Sequence, residues 1–176
     1  MEKGMGGIKY LKDLISKYPN DLDLGKAVRS IIVNGNVPNE THPLQKSTGV
    51  GPVIGIDFDG TCVSHEFPYV GKDIGSVPVL KRMCDSGNRL VLWTMRSEKF
   101  LNDAVNWFKE NEIPLWGIQT NPMQSSWTSS PKAYCEIYID DAALGCPLRI
   151  DIGISNRPFV DWEIVENVLL ERKIIK

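Results

Sequence analysis

Four short stretches hold residues able to do chemistry. Asp57 and Asp59 close the run "VIGIDFD", with Gly60 and Thr61 directly after them. Thr94 and Arg96 lie in "LWTMRS", Lys132 in "SSPKAY", and Asp140 with Asp141 in "YIDDAALG". A buried carboxylate is costly unless it is paired or bound to a metal. These acids would repel one another in a single crevice. A hard divalent cation with oxygen ligands relieves that repulsion, and Mg²⁺ fits. Beside such a cation Asp57 can attack phosphorus and form an aspartyl phosphate. Phosphoryl transfer also needs positive charge and donors around the equatorial oxygens. Lys132, the Thr94 hydroxyl and the backbone N–H groups after Asp57, Gly60 among them, are the candidates. Asp59 would protonate the leaving oxygen and later activate water. Gly60 lets the backbone turn tightly enough to aim both aspartates. Arg96 has two readings of equal weight: a contact to substrate phosphate, or an ion pair with an acid.

Each of these residues needs an element to aim it. Residues 53–57 form an apolar run that reads as a strand ending at Asp57. Ser76 is expected to cap a helix with Val79, Leu80, Met83 and Cys84 on one face, and Gly87 suits its end. "RLVLWT", residues 89–94, is a second strand. Ser97 opens a helix whose Phe100, Leu101, Ala104, Val105 and Phe108 form one stripe. "LWGIQT" gives a third strand, "EIYID" at 136–140 a fourth, and "IDIGI" at 150–154 a fifth. A last helix starts near Asp161 and uses Val165, Val168 and Leu169. Alternating strands and helices imply right-handed βαβ units and a mainly parallel sheet. Ligands of such sheets bind beyond the carboxyl ends of the strands. Asp57, Thr94 and Asp140 each end a strand, so they should meet at one edge.

The 176 residues, 42% hydrophobic and 24% charged, suit one globular domain with a small appendage. Residues 1–34 carry helical periodicity, with Ile8, Leu11 and Ile15 and then Leu24, Val28, Ile31 and Ile32. Residues 35–51 are polar and rich in Gly and Pro, and read as a linker. The main domain is expected over 52–176. A net charge of −2 offers no bulk attraction to nucleic acid or anionic membrane. No apolar run reaches the ~18–20 residues of a membrane span. The four cysteines form no CxxC pair. Reduced, buried thiols of a cytoplasmic protein are expected.

"DFDGT", "WTMR", Lys132 and "IDD" at 139–141, in this order, resemble the four motifs of the haloacid dehalogenase-like (HAD) superfamily of phosphohydrolases. The resemblance covers roughly residues 52–172. It implies a three-layer α/β/α Rossmann-like fold with a mainly parallel sheet in that family's strand order, preceded here by the helical extension. It makes Asp57 the nucleophile and a Mg²⁺ ligand. Asp59 becomes the general acid/base, its carbonyl a second ligand. Thr94 and Lys132 become the phosphate binders, with Lys132 also steadying the nucleophile. Asp140 becomes a direct metal ligand, supported by Asp141 through water or a hydrogen bond. Too few residues separate the motifs for a cap domain. The expected substrate is a small phosphorylated metabolite.

Two other readings compete: a phosphatase acting on nucleic-acid ends, and a phosphate- or metal-binding module without turnover. His65, in the loop after Asp59, reads first as a solvated histidine and second as a substrate contact. The N-terminal helices are expected either to dock on the main domain or to pair two copies of the chain.

Overall fold

The structure is a computed structural model and describes residues 49–176. The expected helical extension 1–34 and most of the linker 35–51 lie outside the described residues. Four strands form a parallel sheet: β1 (Val53–Ile56), β2 (Arg89–Leu92), β3 (Leu115–Ile118) and β4 (Ile137–Ile139). Their spatial order is β3-β2-β1-β4. Among the described residues three helices accompany them: α1 (Ser76–Asp85), α2 (Glu98–Glu110) and α3 (Trp162–Glu171). This is an α/β fold with a mainly parallel sheet. Among the described residues, no helix is long and apolar enough to cross a membrane.

The strand sequences explain the order. "VIGI" is buried throughout, as a strand with neighbours on both sides and cover on both faces must be. Successive side chains point to opposite faces. Ile54, Ile56, Leu90 and Leu92 accordingly join one core cluster, and Val53 and Val91 another. The first cluster takes the apolar sides of all three helices, including Leu80 and Met83 of α1, Ala104 and Phe108 of α2, and Val165 and Leu169 of α3. On the second face, Ala133 and Cys135, from the stretch before β4, pack with Val53 and Val91 against Trp93 and Trp116. Within the described residues the helices therefore share one core, and loop residues cover the other face.

Register sets the functional edge. Ile56 is level with Leu92 and Ile139, and Leu92 with Ile118. The ladder runs one residue further, from Asp57 N–H to the Ile139 carbonyl (3.0 Å), Trp93 N–H to Ile56 (2.8 Å) and Gln119 N–H to Leu92 (2.7 Å). The residues leaving β1, β2, β3 and β4 are thus fixed side by side. The C-terminal segment braces the turn after Asp57 from behind. Val160 N–H donates to the Gly60 carbonyl at 2.8 Å, and the Trp162 indole N–H to the Thr61 carbonyl at 2.7 Å.

Three local expectations are corrected. Ser76 does not cap α1. Gly75, at φ 86°, holds the cap position, and the Ser76 hydroxyl donates to the Cys62 carbonyl at 2.6 Å. A buried carbonyl in the loop after β1 outcompetes the helix end for that hydroxyl. Residues 150–154 are a turn rather than a strand, because Asp151 accepts from Gly153 N–H with its side chain (2.9 Å) and from Ile154 N–H with its carbonyl (2.9 Å). The pairing there is instead β5 (Leu148–Arg149) with β6 (Phe159–Val160), antiparallel. The last helix starts where expected, and Asp161 is its cap, accepting from Glu163 and Ile164 N–H. Val168, expected in the core, is exposed.

Candidate functional site

The carboxyl edge of the sheet gathers the acids. One carboxylate oxygen from each of Asp57, Asp140 and Asp141 lies within 4.8 Å of the others. Asp57 and Asp140 meet because β1 and β4 are neighbours that end level, Ile56 opposite Ile139. Asp141 is held by its backbone N–H on the Thr61 hydroxyl (3.0 Å) and by its carboxylate on His65 Nε2 (3.0 Å). His65 is therefore neither free in solvent nor turned to substrate, but braces one member of the cluster.

Gly60 is where this cluster forbids a side chain. Its φ is 84°, and a Cβ would stand 2.5 Å from Asp141 Oδ2 and 2.6 Å from the His65 ring. The turn needs both the left-handed conformation and the missing atom, and the Gly60 N–H, expected as a donor to phosphate, is instead spent on the Val63 carbonyl at 2.7 Å. Burial first, and then the charges of Asp140 and Asp141, push Asp57 from an ordinary 3.8 up to about 7; the Phe58 N–H and the Thr61 hydroxyl pull the other way. Three hard oxygen donors with mutual repulsion are the donor set that a cation such as Mg²⁺ takes. The Cys62 thiol is fully buried and donates to the Asp57 carbonyl at 3.1 Å. Burial pushes that thiol up, which leaves it a packing group.

Asp59 points elsewhere. Its two oxygens accept from Arg96, Oδ2 from Nε at 2.6 Å and Oδ1 from Nη2 at 2.7 Å. Arg96 is 2% exposed and also donates to the carbonyls of Tyr69 (2.7 Å) and Pro68 (3.4 Å). Its guanidinium lies over the rings of Phe58 (4.9 Å) and Phe67 (5.4 Å). Of its two sequence readings, the structure fits the ion pair. The acid partner is Asp59 itself, and no face of Arg96 is turned to the cleft.

Thr94 is buried at the end of β2, where its hydroxyl accepts from Arg96 N–H at 3.3 Å. Its own hydroxyl proton remains for a ligand. Gln119, at the matching place beyond β3, was not singled out from the sequence. Its side-chain carbonyl accepts from Thr94 N–H (3.1 Å), and its amide donates to the Thr94 carbonyl and to that of Arg96 (3.3 Å). The available signal was its position: "LWGIQT" ends at the edge where the other strands deliver their polar residues.

Lys132 is not brought to Asp57. Its ammonium stands over the Tyr138 ring, 5.5 Å from the centroid, and it makes no ion pair among the described residues. Its backbone is nonetheless fixed. The buried Gln124 donates to the carbonyls of Ser130 (2.7 Å) and Lys132 (2.8 Å) and accepts from Tyr134 N–H (2.6 Å). Attraction between the ammonium and an exposed aromatic face explains the side chain's position over Tyr138.

A cleft of about 440 Å³ opens over this edge, lined by Asp57, Asp140, Trp93, Thr94, Met95, Gln119 and Pro131. Fold and site together define an α/β protein with an acidic cleft at the carboxyl edge of its parallel sheet. The chain is similar to a solved structure, that of the conserved protein coded by a locus from Bacteroides thetaiotaomicron. The two share 27% identity over 69% of this chain and 92% of that one, with a TM-score of 0.58. No protein-family model matches the chain, and no curated protein does.

Proposed function

We propose that the chain is a Mg²⁺-dependent phosphohydrolase of the haloacid dehalogenase-like superfamily, capless and cytoplasmic, acting on the phosphomonoester of a small metabolite. That family's strand order and three-layer architecture belong to the same proposal. The observation that carries it is the meeting of Asp57, Asp140 and Asp141 at one end of adjacent parallel strands, with Thr94 just beyond the neighbouring strand. Asp57, Asp140 and Asp141 would hold Mg²⁺, with the Asp59 carbonyl as the family resemblance implies. The ion would neutralise the meeting of an anionic ester with an anionic site.

In the first step an Asp57 oxygen attacks phosphorus, and the bond from phosphorus to the alcohol oxygen breaks. The products are an aspartyl phosphate and the alcohol, once its oxygen has taken a proton. The Thr94 hydroxyl donates a hydrogen bond to a phosphoryl oxygen, and Lys132 would leave the Tyr138 ring to reach another. Asp59 is the acid that protonates the leaving oxygen. Both of its oxygens accept from Arg96, so one of those bonds must open for the proton to pass. In the second step Asp59 takes a proton from water, which attacks phosphorus and releases Asp57 and inorganic phosphate.

The test is hydrolysis of p-nitrophenyl phosphate with and without Mg²⁺. Turnover should require the metal and fall by about a thousandfold or more in Asp57→Asn. Undiminished activity in that variant would overturn the mechanism.

A further inference from the structure

Resting on the phosphohydrolase reading, we propose that the cleft selects esters whose leaving group is a neutral, largely apolar alcohol. The acids and the Thr94 hydroxyl account for the phosphoryl end of the cleft. What remains of the lining is Trp93, Met95, Pro131 and Gln119. Gln119 is engaged on the backbone of Thr94 and Arg96 with both ends of its amide. Arg96 is closed off by Asp59, two carbonyls and two aromatic rings. Among the described lining residues, no polar side chain is left to recognise the hydroxyls of a polyol.

An anionic leaving group fares worse, since it would approach Asp57 and Asp140 with no cationic side chain among the described lining residues to offset them. Polar groups that lose water without gaining a partner are penalised, whereas apolar groups gain.

The turn 94–96 also presents an apolar contact. Thr94 and Arg96 are pinned inward, which leaves Met95 between them turned outward, 98% exposed while lining the cleft. Water gains nothing from such a side chain. A flexible thioether at a cleft mouth suits an apolar group of variable shape. Trp93 and Pro131 supply further wall. The volume of about 440 Å³ exceeds what a phosphate fills, so the alcohol itself sits against these residues.

The experiment compares three primary alkyl phosphates of similar intrinsic reactivity, each with Mg²⁺: 2-phenylethyl phosphate, glycerol 1-phosphate and 3-phosphoglycerate. kcat/KM for the phenylethyl ester should exceed that for glycerol 1-phosphate by about tenfold or more, with 3-phosphoglycerate lowest. Met95→Ser, at a site exposed enough to leave folding intact, should shrink the first ratio several-fold. Equal values, a reversed order, or a ratio untouched by Met95→Ser would overturn the selection while leaving the phosphohydrolase reading standing. No turnover of these esters or of p-nitrophenyl phosphate would overturn both.

Discussion

Gln119 grips the turn that carries Thr94 by both ends of its amide, and it does so from a left-handed backbone with φ 58°. That conformation costs a residue with a side chain about 1 kcal/mol or more. Its backbone N–H, bonded to Leu92 at 2.7 Å, and its side-chain bonds offset the cost. The Thr94 hydroxyl depends on this grip, since it sits on the residue whose N–H and carbonyl Gln119 holds. A displacement of about 1 Å at a reacting centre can cost about a hundredfold in rate. Gln119→Leu should therefore lower kcat on p-nitrophenyl phosphate by about 10- to 100-fold, with a smaller change in KM. Gln119→Glu keeps the acceptor for Thr94 N–H but sets a carboxylate against two carbonyls beside the acidic cluster, and should recover none of the loss. Steady-state kinetics of the two variants check this. If Gln119→Leu retains full kcat, the grip has no bearing on the hydroxyl's position.

At the scale of elements, a single side chain ties β2 to the loop between β1 and α1. Arg96 leaves the end of β2, pairs with Asp59 just after β1, and holds the carbonyls of Pro68 and Tyr69 within that loop. Removing one partner of a buried ion pair is strongly destabilising, by about 3–5 kcal/mol, because it strands the other charge. Arg96→Met should lower the unfolding free energy read from urea titration by that order. Asp59→Asn in the same chain should return part of it, and the double-mutant cycle should give a coupling above about 1 kcal/mol. A coupling near zero would mean that the loop is held without the pair.

The strands, by contrast, were legible from residue pattern alone. "VIGI", "RLVL" and "LWGI" are short apolar runs bounded by polar or turn residues, and all three form strands. Asp57, Thr94 and Asp140 were legible as one edge because parallel strands bring their carboxyl ends to the same side of a sheet. "IDIGI" misled because its isoleucines mimic strand alternation, while the turn that overrides it is held by the side chain and the carbonyl of Asp151. The partner of Arg96 was hidden for a related reason. A cation does not announce which of several acids it will face, and Asp59 reaches it only through the folded turn at Gly60. Lys132 could be placed in its loop but not aimed, since its direction follows from a ring on β4.

For the molecule as a whole, the acidic cluster is a load on stability that depends on pH and metal. Burial, with Asp140 and Asp141 adding repulsion, lifts Asp57 from 3.8 to about 7. Between about pH 4 and 7 the folded chain keeps on Asp57 a proton that the unfolded chain has released. The native state binds more protons there, so stability without metal falls as pH rises through that window. The difference corresponds to at most about 4 kcal/mol, less whatever relaxation and solvent recover. A cation held by the three carboxylates reverses the sign. It binds the ionised acids of the folded chain only, adding about 2.7 kcal/mol once present at a hundred times its dissociation constant. Protons compete with it at low pH. The rise in melting temperature on adding Mg²⁺ to EDTA-treated protein should accordingly be small at pH 5 and several degrees at pH 8. Asp57→Asn should melt higher than the parent at pH 8 without metal, because it removes the buried charge, and it should respond less to Mg²⁺. Differential scanning fluorimetry at the two pH values separates the outcomes. An equal Mg²⁺ shift at both would mean that the ion binds elsewhere than on these carboxylates.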